Sequence, residues 1–299
     1  MNQIPPSTPA TAADDPSRQR RLSRRILREL RRAPVSAWFG GIVVLAYLLT
    51  AVLAPWLAPY GEAEVVGTPY AAWGADFLLG TDQLGRDILS RLIYGARNTI
   101  GIAVVTTCLA FLIGGTLGLV AALHSGWLDQ LLSRIVDIFI SIPNLIFALL
   151  FLSVFGTSIP NLILTLAFLD ATRVFRLTRA AAGDVVVMDY IQVARLRGET
   201  TFWLMRREIL PNILAPLTVE FGMRFCFVFL SIAALSFLGV GIQPPTADWG
   251  SMVRENAALI SYGNITPLLP AGAIALLTIA VNFVIDWVLY RTSGLRDEF

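Results

Sequence analysis

Six stretches of this chain, roughly 36–58, 98–123, 132–155, 158–175, 213–238 and 268–290, are apolar over close to the length that crosses a bilayer. A helix needs about 20 mostly apolar residues to span the hydrocarbon core. Lipid offers the backbone no hydrogen-bond partners, so a crossing segment must satisfy its own, as a helix does. The pattern predicts an all-α polytopic membrane protein with six transmembrane helices. The fourth stretch is the least apolar, because Asp170 and Arg173 interrupt it. Composition agrees: the chain is 56% hydrophobic and 15% charged, against about 45–50% and about 25% in globular proteins. A soluble domain is excluded.

Arginine asymmetry orients the spans. Before the first stand Arg18, Arg20, Arg21, Arg24, Arg25, Arg28, Arg31 and Arg32, and seven more run from Arg173 through Arg207. Residues 59–97 carry three arginines against five acids, and residues 239–267 only Arg254. The pattern predicts both termini and residues 176–211 in the cytosol, with 59–97 and 239–267 outside. Residues 1–35 form a basic cytosolic tail, expected to be partly disordered; 18–33 reads either as a basic helix on the anionic inner leaflet or as a plain orientation signal. Residues 36–299 form the transmembrane domain, and no cleavable signal is expected.

All 23 basic residues are arginine and none is lysine. A P-loop needs a lysine to reach nucleotide phosphates, so if ATP drives this protein another chain binds it. Cys108 and Cys226 fall within apolar spans and read as small buried hydrophobes. The sequence shows no catalytic triad, metal cluster or glycine-rich phosphate cradle. Lipid is an expected partner and nucleic acid is not.

Between the fourth and fifth stretches lies Asp189-Tyr190-Ile191-Gln192-Val193-Ala194-Arg195-Leu196-Arg197-Gly198, with Leu210-Pro211-Asn212 after eleven residues. Asp189 suits the cap of a short helix, with Gln192 reaching back to it. Gly198 suits the left-handed turn that ends it, and Thr200 or Thr201 the cap of a second helix. Pro211 is expected to stop that second helix. The product is a helix–turn–helix knuckle on the cytosolic face.

The spacing resembles the EAA loop of ABC importer permeases, where Glu-Ala-Ala is followed by Gly and then Leu-Pro. Gln192, Val193 and Ala194 stand in the Glu-Ala-Ala places, and Gly198, Leu210 and Pro211 match. The resemblance makes Gln192, Val193, Ala194, Arg195, Gly198, Leu210 and Pro211 the residues that couple the chain to an ATPase. Leu79-Gly80-Thr81-Asp82-Gln83-Leu84-Gly85-Arg86-Asp87-Ile88-Leu89-Ser90-Arg91 is similar to a hallmark of the oligopeptide/dipeptide/nickel permease family, in the partner with the shorter external region. Physically, Gly80 makes a turn, Thr81 or Asp82 caps a helix, and Ile88, Leu89, Leu92 and Ile93 form an apolar face suited to the membrane interface. Gly126-Trp127-Leu128-Asp129, with Arg134, Asp137 and Pro143, extends the resemblance; Arg134 and Asp137 are spaced to pair, and Pro143 reads as a kink within the third span. Ala234-Leu235-Ser236-Phe237-Leu238-Gly239, leading to Gln243-Pro244-Pro245 and Asp248-Trp249-Gly250, completes it.

Four ionisable residues depart from the family pattern: Asp170 and Arg173 in the fourth span, Glu220 and Arg224 in the fifth. At spacings of three and four they suit two self-neutralising pairs; they equally suit a polar translocation path for a charged or zwitterionic solute. The resemblance implies an ABC type I importer-like permease, not an enzyme. It would form the path for peptides or a related small solute with a second, homologous permease. Two P-loop ATPases holding ATP and Mg and an external binding protein would complete the assembly in a bacterial cytoplasmic membrane. The alternative is a secondary, ion-coupled transporter using Asp170 or Glu220.

Overall fold

The computed structural model describes residues 33–292 apart from Ser125. The tail expected at 1–35 lies outside the described residues up to Arg32. Helices α1 (Val35–Leu57), α2 (Ile88–Leu123), α3 (Trp127–Ile140), α4 (Asn144–Phe155), α5 (Ile159–Val186) and α6 (Asp189–Leu196) are followed by a continuous helical rod, α7 (Thr201–Phe237), then α8 (Trp249–Asn256) and α9 (Leu268–Thr292). No strand forms among the described residues; there are only two isolated bridges, Val65 with Arg86 and Thr81 with Asp87.

Helices α1, α2, α7 and α9 are long and apolar enough to cross a membrane. α5 has the length, at 28 residues, but Asp170, Arg173, Arg176, Arg179 and Asp184 dilute its apolar character. The third expected span differs most. Instead of one kinked helix over 132–155, α3 and α4 meet at a bend of 87°. Pro143 has left the helix and is the N-cap of α4, since its ring forbids a helical hydrogen bond and biases Ile142 away from helical geometry. α3 also carries a strong apolar stripe, with Trp127, Leu131, Ile135 and Ile138 exposed. The expected Arg134–Asp137 pair does not form; Asp129 pairs instead with Arg179 of α5.

α2 and α5 form the tightest helix pair because glycines let their backbones approach. A Cβ on Gly114 would collide with the Ala171 carbonyl, and one on Gly118 would lie 2.8 Å from the Phe175 carbonyl oxygen. The 36-residue α2 reaches both ends of the bundle. Its first turns, from Ile88, share a core with Leu235 and Trp249. Its last turns, at Leu119 and Leu123, share another with Ile191, Leu204 and Ile209. The knuckle and the loops around residues 59–97 and 239–267 therefore lie at opposite ends. Trp249 is 1% exposed; its indole N–H donates to the Leu92 carbonyl at 2.9 Å, and its ring meets Tyr47 and Phe229 edge-on. A Cβ at Gly95 would lie 2.7 Å from that ring.

At this end the acid that caps α2 is Asp87, whose carboxylate accepts from the Ser90 N–H at 2.7 Å. Thr81 and Asp82, expected as caps, do other work. Asp82 sits at the centre of a buried network, accepting from Leu84 and Arg86 backbone N–H groups and pairing with the Arg86 and Arg91 guanidinia. Both arginines also reach Glu255 of α8, at 3.2 and 2.8 Å. Burial alone pushes the Asp82 carboxyl up, but those N–H groups and charges together bring it below its ordinary value. Ile88 is buried and Leu92 partly so, both within the bundle core, because the helix runs straight on into the span and does not lie along an interface. Glu62 adds a second tie: one carboxylate oxygen accepts from the Asn98 amide and the Ala247 N–H, each at 2.9 Å.

Candidate functional site: a knuckle and a charge cluster

The polar segment between α5 and α7 folds as a knuckle. α6 ends at Gly198, whose φ of +81° is left-handed. The Gly198 N–H donates to the Arg195 carbonyl at 3.0 Å and the Glu199 N–H to the Ala194 carbonyl at 3.2 Å, the paired bonds of a Schellman motif. Thr200 then caps the next helix through the Trp203 N–H. Two expectations fail locally. Met188, not Asp189, is the N-cap of α6, and no side chain caps it; Asp189 lies one residue inside, where its charge still meets the positive helix end. Pro211 does not stop the second helix. The chain passes through a π-helical turn, Leu204–Ile209, and continues to Phe237. A wider turn changes which carbonyl lies opposite Pro211, which has no N–H to donate, so the rod accommodates it.

The inner side of the knuckle is apolar and buried: Ile191 at 0% and Ala194 at 7% exposure pack with Leu204, Ile209 and Ile213. Asn212 donates to the Tyr190 hydroxyl at 3.2 Å, tying α7 to α6. The outer side leaves large apolar groups in the open, Leu196 at 88% and Phe202 at 70% exposure, beside Tyr190 and Val193. Gln192, Arg195 and Arg197 are exposed with them, as are Gly198 and Pro211; Leu210 is half-buried. Of the three residues in the Glu-Ala-Ala places, two face outward and Ala194 faces the core. Exposed apolar and arginine side chains are thus grouped on one surface of the knuckle. Leu196 and Phe202 escaped the sequence reading; their signal was an apolar residue on the wrong face of a short amphipathic helix.

The four intramembrane charges join into one cluster. Arg173 lies 3.8 Å from Asp170, and the Arg224 Nε lies 2.8 Å from Glu220, so both expected pairs form. The latter is an ion pair by distance only, since the Nε–H is not directed at an acceptor. A third contact, 3.4 Å between Arg224 and the same Asp170 oxygen, binds α5 to α7. Arg224 also lies 4.6 Å over the Phe227 ring. Side-chain exposure is 4% at Asp170, 11% at Arg224 and 12% at Glu220, but 37% at Arg173. An uncompensated charge at mid-span costs on the order of 2.5–3.5 kcal/mol by insertion scales; two of each sign leave this cluster neutral.

A bundle of apolar spans, broken once, with a polar knuckle at one end and a neutral charge cluster inside, fits a polytopic membrane permease. Residues 114–293 match the family described as binding-protein-dependent transport system inner membrane component, and residues 21–71 the N-terminal transmembrane domain of oligopeptide transport permease C. The chain belongs to this family of ABC importer permeases. It is 37% identical over 267 residues to the di/tripeptide transport system permease protein DppC of Pseudomonas aeruginosa, covering 86% of each chain. It is 38% identical over 265 residues to the dipeptide transport system permease protein DppC of Escherichia coli K12, again covering 86% of each. Its fold is similar to the methionine ABC transporter MetNI in an inward-facing conformation, with a TM-score of 0.53 and 20% identity over 67% of this chain and 97% of that one. The chain is thus the transmembrane permease subunit of an ABC importer, a transport component of the membrane that works with ATPase and binding-protein partners. Nothing in these relatives supports the ion-coupled alternative.

Proposed function

We propose that this chain forms, with a second homologous permease, the path by which a bacterial cytoplasmic membrane imports peptides or a related small solute. The relatives named as di- and tripeptide permeases support the substrate class. An external binding protein delivers the solute to the end bearing residues 59–97 and 239–267, and both termini and the knuckle lie in the cytosol, as the arginine distribution favours. Two P-loop ATPase chains carry the ATP and Mg; this chain holds no cofactor and has no lysine for a phosphate loop.

The knuckle carries this reading: its buried face is fixed to the bundle, while Leu196 and Phe202 stand in the open beside arginines. Through Gln192, Val193, Ala194, Arg195, Gly198, Leu210 and Pro211 it transmits ATPase closure to α5 and α7, the helices that flank it. With Leu196→Cys in a background lacking Cys108 and Cys226, a short bifunctional reagent should join this chain to the ATPase and leave the binding protein untouched. Crosslinking to the binding protein, or labelling of that cysteine by an impermeant reagent from outside intact cells, would overturn the assignment.

A further inference from the structure

Arg173 is the least tightly paired member of the intramembrane cluster. Asp170 places a single oxygen between two guanidinia, 3.4 Å from Arg224 and 3.8 Å from Arg173. Arg224 is also matched by Glu220 at 2.8 Å. Arg173 therefore has the weaker share of one carboxylate. Its other partner is neutral: the Asn144 amide, turned so that its oxygen faces the guanidinium, accepts from both terminal nitrogens. A guanidinium carries five donors in a planar fork, so several remain available.

Position decides what these donors meet. Arg173 lies fourteen residues into the 28-residue α5, within the apolar stretch 158–175 and towards its cytosolic end. A third of its side chain is exposed there. An ionised side chain inside a span faces protein or water, not acyl chains. The adjoining backbone leads to the same conclusion independently. Asn144 begins α4 directly after the 87° break, where Ser141 and Pro143 are exposed. Non-helical backbone at membrane depth persists only where it is buried in protein or lines a water-filled cavity. An exposed break and an exposed guanidinium, linked by Asn144, form one polar surface that only protein or water can cover.

Resting on the permease reading, we infer that Arg173 is a specificity-determining residue that receives a carboxylate of the solute in transit, as the free C-terminus of a peptide would supply. Asp170 and Arg224 set its strength. Within the neutral cluster they leave only the exposed Arg173 fork positive towards the passage, so that a carboxylate is attracted to it and can still leave. Asn144 aims the guanidinium fork.

The test uses the complete transporter, with both permeases, ATPases and binding protein, in proteoliposomes. Uptake of a radiolabelled dipeptide is compared with uptake of its C-terminal amide. The binding protein's own preference is the same for every permease variant, so it cancels when acid-to-amide ratios are compared. Arg173→Gln should lower that ratio about tenfold, the scale of one charge-assisted hydrogen bond, through loss of acid uptake with amide uptake preserved. Arg173→Lys keeps the charge but not the fork and should lower the ratio about threefold; this variant decides the matter if Arg173→Gln does not assemble. An unchanged ratio in the assembled variants, or equal loss of both substrates, would overturn the inference. Uptake of neither peptide by the unaltered transporter would overturn the peptide reading, and this inference with it.

Discussion

Gly198 separates backbone strain from crowding, because a Cβ added there meets nothing within 4 Å. Any effect of substitution on the free knuckle therefore comes from its φ of +81°. A residue with a Cβ pays roughly 1–2 kcal/mol in left-handed geometry, and Asn pays less than others because its side chain bonds locally. Val adds a stiff χ1 to the same penalty. About 1–2 kcal/mol changes a conformational population by a factor of roughly 5–30. Gly198→Asn should leave the knuckle nearly intact, Gly198→Ala should deplete its docked form about fivefold, and Gly198→Val about thirtyfold. Burial of Ile191 and Ala194 anchors α6 from beneath, and the spans are held by lipid, so membrane insertion and pairing with the second permease should persist in all three. The assay is co-purification of the ATPase with each variant, beside solute uptake in membrane vesicles. Normal ATPase retention and uptake in Gly198→Val would refute the coupling role. Asn proving as harmful as Val would refute the backbone argument, and would mean that the docked partner fills the space beside Gly198.

The cluster predicts a compensation: Asp170→Asn leaves Arg224 to Glu220 and strands the partly exposed Arg173, costing about 1 kcal/mol once solvent screening is counted, whereas Asp170→Asn with Arg173→Gln restores neutrality. The double variant should melt above Asp170→Asn in detergent; identical melting would place the cluster in water. Gly114→Val forces α2 from the Ala171 carbonyl, whereas Gly115→Val meets nothing within 4 Å. The first should lose about 1–3 kcal/mol through overpacking and the second little, so equal melting temperatures would refute close α2–α5 packing. The Asp82 carboxyl lies below its ordinary value, so its stabilisation is complete above the ordinary carboxylate range and fades as pH falls through the lowered value. Asp82→Asn should flatten the acid limb of thermal stability measured against pH; an unchanged limb would show that other carboxylates set it.

The sequence revealed what local physics determines. Apolar length marked α1, α2, α7 and α9, and the Gly198 turn and Thr200 cap followed from residue type and spacing. Arrangements decided by tertiary contact were hidden. One proline reads alike as a kink or a break, and only the packed bundle makes Pro143 the corner of an 87° bend. Pro211 looked like a stop because a helix was assumed to keep one pitch, whereas the π turn before it lets the rod continue. Thr81, Asp82 and Asp87 all suit a cap, and the choice fell to Asp87 because Asp82 is engaged by two arginines. Arg224 and Asp170 stand 54 positions apart, so their contact is visible only once α5 and α7 are placed side by side. Arg173 was legible as an unusual charge but not as the exposed one.

The carboxylate of Glu62 has an evolutionary consequence. Its one oxygen serves Asn98, three turns into α2, and the backbone of Ala247 in the far loop, while Arg86 and Arg91 reach across to Glu255. Segments nearly two hundred positions apart thus form a single structural module. A chimera that borrows residues 59–97 alone from a related permease inherits half of each contact and none of its partners. Grafts at this surface should succeed only when residues 59–97 and 239–267 are exchanged together, and natural lineages should recombine them as a pair.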